Sequence, residues 1–127
     1  MALGLWGLWG FLSKTATAYL PYQAVYLLAI SGHLAVIAYL LTGGELQVPW
    51  QPWGLALAVG SGLCTAFGLL CFLKALARGP ATVVVPLTAL YPAITVLLSA
   101  VLLHEDLPPS RLLGLALALA AGWLLSR

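Results

Sequence analysis

VVVPLTALYPAITVLLSAVLLHED, residues 83–106, decides the fold. It is an apolar run of bilayer-crossing length with two prolines, Pro86 and Pro92, six residues apart, and it closes on His104-Glu105-Asp106. An aqueous helix this apolar would need burial on every side, which a small soluble domain cannot supply. A bilayer removes that demand, because side chains facing outward there meet hydrocarbon. The surrounding chain has the same character. Of its 127 residues 63% are hydrophobic and 6% charged, with five basic and three acidic side chains and a mean hydropathy of +1.08. Such a balance excludes a water-soluble domain and predicts an all-α integral membrane protein.

A spanning helix needs roughly 20 mostly apolar residues. Five such runs lie between turn and charge signals, at about 3–20, 22–42, 53–77, 81–103 and 110–125. The first ends at Pro21 and carries Ser13, Lys14, Thr15 and Thr17 in its second half. It differs from a signal peptide in having no basic segment before it, and Lys14 falls where the apolar core should continue. The others stop at Gly43-Gly44-Glu45, at Arg78-Gly79-Pro80, before Pro108-Pro109 and near Leu125. All linkers are short, so the expectation is one transmembrane domain over residues 1–127, a bundle of five transmembrane helices. Cys64 and Cys71 sit two turns apart on the third run, about 10 Å along the axis, too far for a disulfide within the chain.

Orientation follows Lys and Arg near span ends. With five spans, Lys14, Lys74, Arg78 and Arg127 share one face, and Arg111 and the amino terminus the other. Counted in full, the excess places the C-terminal end in the cytoplasm. If Lys14 and Lys74 stay within the membrane the bias nearly vanishes, and the chain is expected to insert both ways.

Helix association in lipid relies on small residues that let backbones approach. Gly114, Ala118 and Gly122 form such a stripe on the fifth run, and Gly60, Cys64 and Gly68 on the third. Both stripes suit ordinary contacts inside one bundle, and the fifth-run stripe, on a terminal helix free to dock outward, is also the candidate dimer interface. Pro86 and Pro92 each remove a backbone donor, leaving the carbonyls of Thr82 and Thr88 without their helical partners. Freed carbonyls at membrane depth need protein or a water-filled cavity in front of them. Thr88 and Tyr91 flank these breaks and bring hydroxyls to such a cavity.

Ionisable groups within spans mark function more often than packing. His33 falls mid-span and suits either proton carriage or a hydrogen bond to a neighbouring helix. Lys14 suits a carboxylate or phosphate, or snorkels to the interface as Lys74 does. Glu45, Glu105 and Asp106 all fall at span ends, which disfavours cationic cargo and favours anionic, zwitterionic or neutral cargo. No metal-ligand cluster, phosphate loop or nucleophile elbow occurs, so neither an enzyme nor a cofactor is expected, and the basic residues are too few for nucleic acid.

FLKALARGPATVVVPLTALYPAITVLLSAVLLHEDLPPSRLLGLALALAAGWLL, residues 72–125, resembles an EamA-type repeat of the drug/metabolite transporter superfamily. The features that carry the likeness are Ala75-Leu76 ending the third helix, Pro92 within the fourth, Glu105 at its foot, and Gly114 and Gly122 in the fifth. Trp6-Gly7, with Lys14 eight residues after the tryptophan, is similar to the repeat's first-helix signature. Larger members fuse two such repeats into ten helices related by inverted symmetry. The resemblance to the short five-helix branch implies half of such a transporter, in a bacterial cytoplasmic membrane, working as a homodimer, antiparallel by preference, or with a sister subunit. Inverted repeats place the substrate between the halves near the midplane. On that reading Lys14, Trp6, Trp9, Thr88, Tyr91, Pro86, Pro92 and His33 are the candidate substrate-binding residues, each present twice around one cavity. Two alternatives stay open: a flippase for undecaprenyl-linked lipid carriers or one subunit of a pair, and an accessory membrane subunit that transports nothing.

Overall fold

The computed structural model describes residues 2–44 and 48–125; Glu45 and Arg127, both used above, lie outside them. Among the described residues the only regular structure is helix: α1 (Ala2–Tyr19), α2 (Tyr22–Thr42), α3 (Pro52–Arg78), α4 (Ala81–Thr88), α5 (Tyr91–Leu102) and α6 (Pro109–Leu125). These limits fall within one residue of the five apolar runs, with the fourth run divided in two.

Proline sets most of the helix starts. Pro21 and Pro80 are the N-caps of α2 and α4, both extended, and Pro92 falls in the first turn of α5. Pro52 and Pro109 open α3 and α6. In a first turn the missing N–H costs nothing, because that donor has no helical partner in any case, and the ring presets φ. Helix α2 ends where Gly43 N–H bonds Tyr39 O at 3.1 Å and Gly44 takes φ +68°, a left-handed conformation suited to glycine.

The fourth run was expected to be a single helix bent at its prolines. Instead it breaks at Ala89 and Leu90. Ala89 N–H still reaches Val85 O at 2.9 Å, but Leu90 N–H turns back to Leu87 O at 3.2 Å and Ala93 N–H to Leu90 O at 2.9 Å. The ladder thus shifts to tighter i→i−3 bonds through ψ values near zero at both residues. Pro92 explains the position: it offers no donor to Thr88 O, and its ring disfavours helix at the residue before it. Pro86 lies inside α4, which continues past it.

Tyr22–Thr42, Pro52–Arg78 and Ala81–Leu102, the last taken through its break, are long and apolar enough to cross a membrane. The chain is a multi-pass membrane protein. Helix α3, at 27 residues, is about 40 Å long, more than a typical hydrocarbon thickness of about 30 Å. Helix α6 is apolar but shorter, and α1 has its apolar run interrupted by the Ser13–Thr17 stretch. Exposed hydroxyls behave as a lipid environment demands. Thr15, Ser31, Thr42, Ser61, Thr65 and Thr88 each donate to a carbonyl three or four residues back on the same helix. No water there would otherwise satisfy them.

Helices α1–α3 form one compact unit and α4–α6 a second. In the first, α3 packs against both α1 and α2, and α1 also touches α2. Burial concentrates on Gly10 and Ser13 of α1, Val25 of α2, and Leu73 and Leu76 of α3. In the second, α4 packs on α6, and Ala93 and Gly122 are buried.

Candidate functional site

The first unit carries its polar chemistry on the contact between α1 and α3. Trp9 stacks on Phe72 of α3, ring centroids 5.0 Å apart and planes 20° from parallel. Trp6, one turn earlier on α1, meets Trp9 edge-on at 5.6 Å and 68°. Just past Trp9 on α1 the small residues Gly10 and Ser13 are buried, as Leu73 and Leu76 are on α3, and small residues of this kind let helices approach closely. Beyond them Lys14 Nζ donates to Leu76 O at 2.7 Å.

That acceptor is unusual for a reason visible in the sequence. The helical donor to Leu76 O would be the N–H four residues on, and that residue is Pro80. Leu76 also lies in the last turn of α3, where carbonyls lack intrahelical donors and the helix dipole favours a cation. The half-buried Lys14 is therefore bonded to α3 two residues before Arg78. Lys74 is exposed one turn before Arg78. Among the described residues, Lys14, Lys74 and Arg78 thus gather at one end of α3.

In the second unit the site is the α4–α5 break. Pro86, Thr88, Tyr91 and Pro92 lie on either side of it within seven residues of sequence. Tyr91 is 62% exposed at the start of α5. The Thr88 hydroxyl proton is committed to Val84 O at 2.7 Å and Val85 O at 3.0 Å, so the group presents an oxygen acceptor rather than a donor. Below the break runs a hollow of about 300 Å³ whose walls include Leu90, Pro92, Val96, Leu115 and Ala118. A second, of about 250 Å³, reaches Ser99, Glu105 and Asp106, and Arg111 borders both. Arg111 Nη1 donates to Asp106 O at 3.2 Å, pinning the turn between α5 and α6. That turn holds His104 at φ +55°, a left-handed conformation uncommon for histidine.

Other candidates stand apart from these groups. His33 is exposed on α2, its Nδ1 3.3 Å from Ala29 O, a contact to its own helix and not to a neighbouring one. In the small-residue stripe of α6, Gly114 and Ala118 are exposed, whereas Gly122 is buried within the chain against Leu90. The sequence did not single out Phe72 and Leu76 as contact partners of α1. For Leu76 the signal was present, a proline four residues after a helix-ending leucine; for Phe72 there was none, because a stacking partner depends on the register between helices.

The sequence pattern described as the EamA-like transporter family matches residues 1–127. Among curated proteins and among solved structures, none is significantly similar to the chain.

Proposed function

Because the chain belongs to the EamA-like transporter family, we propose that it carries a small polar metabolite across a bacterial cytoplasmic membrane by alternating access, in a passage that residues 1–127 line on one side only. The observation behind this is the burial of the spanning segments. Of their most apolar windows, only 6% is buried in Tyr22–Thr42, none in Pro52–Arg78, and 6% in Ala81–Leu102. Helices that enclosed a polar path among themselves would hide more of their surface. A second repeat of inverted orientation therefore completes the enclosure, with all five runs spanning and the α4–α5 break facing the path, since free carbonyls at that depth need polar company. Glu105 and Asp106 lie at the foot of α5, and no carboxylate falls within a span among the described residues. Anionic, zwitterionic or neutral cargo fits this inventory better than cationic cargo.

The inverted partner is either a second copy inserted the other way or a sister chain. The gathering of Lys14, Lys74 and Arg78 at one membrane edge, against Arg111 at the other, favours a fixed orientation with that edge in the cytoplasm. It therefore favours the sister chain over the antiparallel homodimer that a weak charge bias suggests.

Two variants test the choice. One carries two added lysines beside Gly43, on the face of Arg111, and the other carries two added lysines beside Arg78, on the opposite face. Transport of a radiolabelled metabolite mixture into proteoliposomes is measured for each alone and for both together. An antiparallel homodimer loses transport with either alone and regains it on co-expression. A sister-chain arrangement shows no such complementation, and transport requires the partner. Full transport by an isolated, single-orientation chain refutes the shared passage.

A further inference from the structure

We propose that Lys14 is a positioning residue that clamps α1 to α3 by capping the Leu76 carbonyl, rather than a ligand for cargo. The chain of reasons begins with Pro80. Proline at that position leaves Leu76 O without the donor that a continuing helix would bring, and at the edge of a bilayer an unsatisfied carbonyl is costly. Leu76 is completely shielded by its neighbours, 0% exposed, so solvent has poor access to its backbone. Lys14 supplies an ammonium donor at 2.7 Å, the short distance typical of a charge-assisted hydrogen bond.

The surroundings fit a clamp. Lys14 is linked to Leu76 across 62 residues of sequence, between helices that already meet through the Trp9–Phe72 stack. Leu73 and Leu76 are the most fully buried large side chains among the described residues, and both lie on the segment of α3 that this contact holds. The ammonium carries positive charge to the negative end of the α3 dipole, where arginine, lysine and histidine are favoured. The clamp does not depend on what is carried, so it can fail or hold independently of the transport reading.

The chain contains two lysines, Lys14 and Lys74, which makes the ammonium groups individually observable. The experiment labels lysine Nζ with nitrogen-15 and records the ammonium signals of the full chain in detergent micelles, with Lys14→Met to assign them. The expected result is a slowly exchanging Lys14 ammonium, a rapidly exchanging Lys74 ammonium, and no movement of the Lys14 signal when inorganic phosphate or acetate is added. Lys14→Met then lowers the melting temperature by about 4 °C or more, while Lys74→Met leaves it unchanged. A Lys14 signal that exchanges as fast as that of Lys74, or that shifts on addition of phosphate or acetate, overturns the clamp. Melting of Lys14→Met at the parent temperature overturns it equally.

Discussion

Gly122 offers the sharpest test of how the second unit is packed. A Cβ at that position would lie 3.2 Å from Leu90 Cγ and 3.3 Å from Leu90 Cδ2, and closer still to Leu90 Cδ1. Carbon atoms in good contact sit about 3.5–4.0 Å apart, so any side chain here must displace Leu90 or shift α6. Leu90 has some freedom, since its methyls are the flexible end, but it is half-buried and its backbone is fixed in the break. Moving it off its rotamer costs about 0.5–1.5 kcal/mol. For Gly122→Ala that cost is nearly offset by the gain of about 1 kcal/mol in helix propensity, and the expected change is small. Gly122→Val adds two further methyl groups at the same point, and overpacking then dominates at about 1–3 kcal/mol. Reversible unfolding in mixed micelles, followed by the tryptophan emission of the chain, measures the difference. The decisive comparison is a double-mutant cycle with Leu90→Ala, which empties the space the valine needs. Most of the valine penalty should disappear in that background, leaving a coupling of about 1–2 kcal/mol. Equal valine penalties in both backgrounds would refute the packing of α6 against the break. So would a valine variant as stable as the parent.

Three further outcomes are expected. Gly114→Leu should leave the isolated chain as stable as the parent, because nothing lies within 4 Å of its Cβ position; if α6 joins two copies, cross-linking yield between chains should fall, and unchanged yield removes Gly114 from any such interface. Trp9→Leu should destabilise the first unit by about 0.5–1.5 kcal/mol through loss of the stack on Phe72, and a Phe72→Leu change should then add nothing, as unfolding midpoints of the two single variants and the double variant would reveal. Pro92→Ala restores an N–H to face Thr88 O, so α4 and α5 should run on as one helix; hydrogen exchange across residues 88–93 should slow and transport turnover fall, whereas unchanged exchange would mean the break has a cause other than Pro92.

Helix positions were legible before any coordinates, because apolar length and proline placement are local properties. Pro21, Pro52, Pro80 and Pro109 mark element starts that the chain adopts within a residue of the expected limits. The candidate site was legible unevenly. The grouping of Pro86, Thr88, Tyr91 and Pro92 follows from their closeness in sequence, and the structure places the break between Thr88 and Tyr91 rather than at either proline. The direction of the Thr88 hydroxyl, turned back to Val84 and Val85, was not legible, since it depends on a rotamer. Lys14 shows the limit most clearly: as a lysine late in an apolar helix it suited an anion, an interface or a neighbouring helix end equally well.

Composition and hydrophobic run length by themselves determined a multi-pass helical membrane protein, since transfer of apolar side chains into hydrocarbon needs no knowledge of which helix meets which. Only the tertiary structure decided that Lys14 meets Leu76, that Trp9 meets Phe72, and that Gly122 is filled by Leu90 while Gly114 is not. Those pairings are set by the register and rotation of one helix against another. Such a choice rests on the summed fit of many weak contacts, and no single position in the chain records it.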